Sequence, residues 1–113
     1  MLIAAAVPVH ACWEEAAARY QLSSTLLHAI ARTESGLNPQ AIGRNRDGSR
    51  DIGLMQINSG WLPTLARHGI REQDLFDPCT SIHVGAWILA HNVSRYGYTW
   101  EAVGAYNASS PPL

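Results

Sequence analysis

A helix that stops on a carboxylate narrows the possible folds more than any other feature. Leu27, Ile30 and Ala31 precede Glu34 by seven, four and three residues, so all four side chains share one helix face. Gly36 follows, and Asn38-Pro39 comes just behind it, the pattern of a terminated helix. Ser23 and Ser24 offer the N-cap at the other end. A carboxylate on an apolar face is costly when ionised, because burial strips its hydration. Burial therefore favours the neutral form and raises the pKa, which suits a general acid at neutral pH. The competing reading is a helix-terminal Glu that points at water.

The next stretch weighs toward chemistry. Residues 43–50 are polar and hold Asp47-Gly48, the pair typical of a tight hairpin turn. Residues 51–58 read as a short strand and a turn, with two amides, Gln56 and Asn58, among apolar neighbours. A hairpin here would return Asp51 to the end of the Glu34 helix. Two carboxylates and two amides around one cleft suit a sugar polymer. One acid protonates the glycosidic oxygen, the other carboxylate faces the developing oxocarbenium, and the amides bond hydroxyl and N-acetyl groups.

The rest of the chain reads mostly as helix. Residues 12–20 are rich in helix formers, with Glu14 and Glu15 suited to the first turn. A short helix is expected over residues 61–68, ended by Gly69; Trp61 is either a sugar-stacking or a core residue. Asp77-Pro78-Cys79-Thr80 opens the longest helix, whose apolar stripe is Ile82, Ala86, Leu89, Val93 and Tyr96. Gly85 and Ala86 leave room for another helix to approach. Gly97 ends this helix, and residues 100–106 begin one more. His28, His83 and His91 read as surface or packed histidines, and Glu72, Asp74 and Asp77 as solvated acids. No metal site is expected: the histidines lack partners at metal spacing, and residues 45–51 fail the calcium-loop pattern.

The 113 residues read as one domain, with 47% hydrophobic content to fill its core. A net charge of −1 gives no electrostatic case for nucleic acid or an anionic membrane. No stretch approaches the roughly 18 apolar residues of a membrane span. No nucleotide loop is present, so no cofactor is expected. The two cysteines, Cys12 and Cys79, lie too far apart in sequence for metal spacing. One disulfide and an oxidising compartment is the simplest reading; two buried thiols is the alternative. Residues 2–9 are apolar, and Val9-His10-Ala11 has the small-residue form of a cleavage site, so residues 1–11 are expected to be the remnant of a signal peptide.

Three blocks make the chain recognisable. Glu34-Ser35-Gly36-Leu37-Asn38-Pro39, Gly53-Leu54-Met55-Gln56-Ile57-Asn58 and Ala105-Tyr106-Asn107-Ala108 resemble, in order, the signature blocks of the lytic transglycosylases that cut peptidoglycan. The resemblance runs from Cys12 to Ala108, with the small members found beside type III secretion, type IV pilus and conjugation machines as the nearest match. Asn45-Arg46-Asp47-Gly48-Ser49-Arg50-Asp51 also resembles the β-hairpin of c-type lysozymes.

The resemblance implies a mainly α (α+β), lysozyme-like fold with a small β-hairpin between helices, formed by residues 12–108. It implies Glu34 and Asp51 as the catalytic pair, and Ser35, Met55, Gln56, Asn58, Tyr106 and Asn107 as substrate-binding residues. The expected partner is the peptidoglycan glycan strand, with a secretion, pilus or conjugation machine beside it, in the periplasm. Lysozyme-type hydrolysis and a non-catalytic glycan-binding domain are the rival readings. The family's third block usually ends in Gly and continues into another helix; here Ala108 leads to Ser109-Ser110-Pro111-Pro112-Leu113. Residues 109–113 are therefore expected to be an irregular tail, with truncation or a frameshift as the readings of its origin.

Overall fold

Between its two stop signals the first predicted helix forms as α2 (Ser24–Ser35). The Ser23 hydroxyl accepts the Leu26 N–H at 3.1 Å, and Gly36 takes the left-handed conformation with φ 64°. Leu27, Ile30 and Ala31 are buried, as the spacing predicts. The computed structural model describes residues 8–107; residues 1–7 of the leader expected over residues 1–11, and the whole tail expected over residues 109–113, lie outside the described residues. Pro8, extended at φ −60°, starts α1 (Val9–Tyr20), so Val9-His10-Ala11 add a first turn ahead of the expected start.

The hairpin lies between α2 and the later helices. β1 (Ile42–Arg44), β2 (Arg50–Ile52) and β3 (Ile57–Asn58) form one antiparallel sheet in the order β1-β2-β3. Asp51 pairs with Gly43 on one side and Asn58 on the other. Arg44 pairs with Arg50, which leaves residues 45–49 as the β1–β2 connection. The tight turn that Asp47-Gly48 predicts forms within it: the Gly48 N–H donates to the Asn45 carbonyl at 3.1 Å, with Gly48 at φ 87°. The Asp47 carboxylate accepts the Ser49 N–H at 2.9 Å and its hydroxyl at 2.6 Å, and so reinforces the turn.

After β3 come a short 3-10 turn, α3 (Leu62–Ala66), a second 3-10 turn and then α4 (Pro78–Tyr96). Asp77 caps α4 by accepting the Thr80 N–H at 2.9 Å, with Pro78 behind it in the first turn. Ile82, Ala86 and Leu89 are fully buried, and α4 packs against α1 and α5 (Trp100–Asn107) as the central helix. Tyr96, the last member of the predicted stripe, is instead exposed. The final turn of α4 overruns the core, and Arg95 lies over the Tyr96 ring at 5.5 Å.

Cys12 and Cys79 form a disulfide, with Cα atoms 5.5 Å apart, tying the start of α1 to the start of α4. Of the two readings of Trp61, the core one holds: it is buried, with its ring edge-on to Trp87 at 5.3 Å and to His91 at 6.4 Å. Gly85 does permit a close approach. A Cβ there would sit 2.8 Å from the Tyr106 hydroxyl on α5 and 2.9 Å from Met55 Cβ.

Candidate active site

Glu34 occupies the last turn of α2, half-buried. Its pKa is raised above the ordinary 4.5, first by burial and then by the negative charge of Asp51. The hairpin thus brings the second carboxylate into the electrostatic neighbourhood of the first. Ser35, next in the chain, locks the helix end to the sheet. Its hydroxyl donates to the Leu54 carbonyl at 2.7 Å and accepts the Asn38 N–H at 3.2 Å.

Asp51 is held from both sides. Asn58 Nδ2 donates to one carboxylate oxygen at 3.0 Å, and Asn45 Nδ2 to the other at 3.2 Å. Asn58 Nδ2 also reaches Ser49 Oγ at 3.1 Å, and Asn58 Oδ1 accepts the Gly60 N–H at 2.9 Å. On the neighbouring strand the backbone at Gly43 lies so close that a Cβ would stand 3.0 Å from Gln56 Oε1.

The turn between β2 and β3 forms the floor of the site. Gly53 is there because its φ is +78° and any Cβ would overlap the Leu75 carbonyl oxygen. Gln56 adopts a left-handed φ of 51° without being glycine. Its side chain stabilises the turn that requires this, donating to the Gly53 carbonyl at 3.0 Å and the Ala41 carbonyl at 3.2 Å. Met55 is fully buried. Its N–H donates to Ser81 Oγ at 3.0 Å, and its carbonyl accepts the Tyr106 hydroxyl at 2.7 Å. The Tyr106 pKa is raised well above its ordinary 10.0, by burial first and then by the charges of Glu34 and Asp51, and Tyr106 lines the same cleft as Glu34.

The sequence-predicted residues therefore gather at one place, but their polar atoms are committed to the protein. Gln56, Asn58 and Tyr106 are buried and bond backbone or neighbouring side chains. Asn107 ends α5, and the sugar contact expected of it lies outside the described side chains. Three contributors were missed. Asn45 supports Asp51 from within the same hairpin, and Ser81 supports Met55 across 26 residues, a contact that no local pattern announces. Trp100 carried a readable signal: it precedes the buried Ala102 by two residues, about 200° round the helix, which places it off the core face.

A cleft of about 290 Å³ opens beside Glu34, between α2 and α5. Ile30, Thr33, Val103 and Tyr106 line it, and Trp100 edges it. A larger cavity of about 490 Å³, with Arg19, His68 and His83 in its walls, shares none of these residues. Chemistry rather than size selects the smaller one, since the raised carboxylate lines it. Among the described residues no group of three His, Cys, Asp or Glu could hold a metal ion.

The transglycosylase SLT domain model matches residues 11–111. Invasion protein IagB of Salmonella typhimurium is 54% identical over 102 residues, which cover 89% of this chain and 64% of that protein. Protein IpgF of Shigella flexneri is 46% identical over 102 residues, covering 89% of this chain and 67% of its own length. A peptidoglycan-binding-like protein of Escherichia coli O157:H7 is 44% identical over 106 residues, covering 87% and 64%. The chain thus spans a little under two thirds of the length of IagB.

Proposed function

The chain belongs to the transglycosylase SLT domain family, and from that premise we propose that it cuts the β-1,4 bond between N-acetylmuramic acid and N-acetylglucosamine in peptidoglycan, releasing 1,6-anhydromuropeptides. The observation that carries this reading is the half-buried Glu34, whose proton is retained to higher pH by burial and by Asp51. Glu34 donates that proton to the glycosidic oxygen as the bond to the muramyl anomeric carbon breaks. Its carboxylate then takes the proton of the muramyl 6-hydroxyl, whose oxygen attacks the same carbon and closes the anhydro ring. Glu34 ends protonated, ready for the next cycle, and the chemistry draws on no water.

Asp51 supports the positive charge that develops at the anomeric carbon. Both its oxygens already accept amide hydrogens, which favours a fixed charge over an attacking nucleophile. Ser35, Met55, Gln56, Asn58 and Tyr106 act as positioning residues that hold the Glu34 helix end, the floor turn and Asp51 in register. We assign Asn107, the next residue of the same block, to sugar binding. The Cys12–Cys79 disulfide fits an oxidising compartment, and we place the protein in the periplasm. The relation to a protein named for invasion supports a role in opening the wall locally for a secretion, pilus or conjugation machine.

Hydrolysis is the second reading, kept by the presence of Asp51 near Glu34. Mass spectrometry of digested peptidoglycan separates the two. Anhydromuropeptides as main product, with Asp51→Asn less damaging than Glu34→Gln, are expected. Reducing-end muropeptides, with the two variants equally damaged, would move the assignment to hydrolysis.

A further inference from the structure

We propose that the larger cavity, between α1, α3 and α4, is a binding site for a small aromatic carboxylate, with its ring inside the cavity and its charge at the rim. This cavity shares no lining residue with the cleft beside Glu34, so the inference stands apart from the glycan-cleaving reading. Its volume of about 490 Å³ falls within the roughly 300–1,000 Å³ of small-molecule sites. Leu65 and Val84 line it and are themselves buried, which gives it an apolar interior. Trp87, half-buried, adds an aromatic wall. That wall is fixed from behind, because the buried Trp61 ring packs edge-on to Trp87 at 5.3 Å.

The charge of the rim says which ligand. Arg19, His68 and His83 line the cavity, and among the described residues no carboxylate does, although the chain as a whole carries a net charge of −1. The Arg19 guanidinium lies 5.7 Å from the centroid of the Tyr20 ring, also in the lining, and forms no ion pair among the described residues. Glu15, one helical turn before Arg19, faces His83 instead, at 3.8 Å from its Nε2. Arg19 and His68 therefore keep their N–H donors for a ligand. An inorganic anion would pair with Arg19 and leave the apolar interior wet. A neutral hydrocarbon would fill the interior and leave the guanidinium without a partner. A carboxylate on an aromatic body meets both demands: the planar guanidinium can take it through two parallel N–H···O bonds, and the ring packs against Trp87 and Val84.

The test uses the disulfide-bonded chain with naphthylacetate as the probe, naphthylethanol as its uncharged analogue and acetate as the charge without the ring. Binding is followed by calorimetry and by the NMR signal of the Trp87 indole N–H, assigned with Trp87→Phe. Naphthylacetate should bind saturably and shift that signal. Naphthylethanol should bind about tenfold more weakly, the worth of one charge-assisted hydrogen bond, and acetate should not bind measurably. Arg19→Gln should erase the preference for the acid while the alcohol binds as before, and His68→Gln should reduce the preference in the same direction. Both residues are exposed, so thermal unfolding should be unchanged. Glu34→Gln protein should bind naphthylacetate as the parent does. Lack of saturable naphthylacetate binding, equal affinity for acid and alcohol, or an undiminished preference in Arg19→Gln overturns the site. A shift of the Trp100 indole signal in place of that of Trp87 would put the ligand in the Glu34 cleft and overturn it too.

Discussion

Gly85→Ala puts two opposed rules at one position. Gly85 lies inside α4, where replacing glycine by alanine normally stabilises a helix by about 1 kcal/mol. Helix propensity alone therefore predicts a gain. The surroundings predict a loss. The added Cβ would sit 2.8 Å from Met55 Cε, 2.9 Å from Met55 Cβ and 2.8 Å from the Tyr106 hydroxyl. Met55 Cε can swing away. Met55 Cβ is fixed to the floor turn, and the Tyr106 oxygen ends a rigid ring. Overpacking of this kind costs about 1–3 kcal/mol. Moving the hydroxyl also breaks its 2.7 Å bond to the buried Met55 carbonyl, which costs about 1–3 kcal/mol more. Set against the propensity gain, the net loss is about 1–5 kcal/mol, or a fall in Tm of at least about 4 °C for a domain of this size. Thermal and urea unfolding followed by circular dichroism measure it, and peptidoglycan cleavage should fall with the displaced floor turn. A Gly85→Ala protein that melts at or above the parent would refute the packing of α4, α5 and the turn described above.

Two further outcomes concern stability. Replacing both Cys12 and Cys79 by Ser should lower stability by about 4 kcal/mol, since the bridge closes a loop of 67 residues; urea unfolding of the double variant should match that of the reduced parent, and equal stability of oxidised parent and variant would contradict it. The raised pKa of Glu34 also has a sign. Below its ordinary value of 4.5 the group is neutral both folded and unfolded; as pH rises from there through the folded value, the unfolded chain ionises first and the folded state loses stability. Glu34→Gln should therefore gain stability relative to the parent as pH rises through and above 4.5, and a gap that stays constant or narrows would show that the Glu34 pKa is not raised by folding.

Local signals carried most of the fold. Ser23, Gly36, Asp77-Pro78 and Gly97 mark helix ends through their own backbone and side-chain chemistry, and each end falls where those residues place it. The disulfide was readable because only two cysteines exist. What escaped depends on distant chain segments. Tyr106 and Met55 meet across 51 residues, and the Leu75 carbonyl that excludes any side chain at position 53 comes from another loop. Gln56 reads as a sugar-binding amide, yet its own left-handed backbone consumes its donors. Periodicity fixes a face but not where a core ends, hence the exposed Tyr96.

The central claim is that Glu34 alone handles the proton. Glu34→Gln preserves shape and the apolar setting while removing the acid, so folding is retained. The rate at which purified peptidoglycan releases soluble muropeptides tests the claim most directly. The account predicts a fall of roughly 10²–10⁴-fold, the usual worth of a positioned acid and base. Release at near the parent rate by folded Glu34→Gln protein would contradict it.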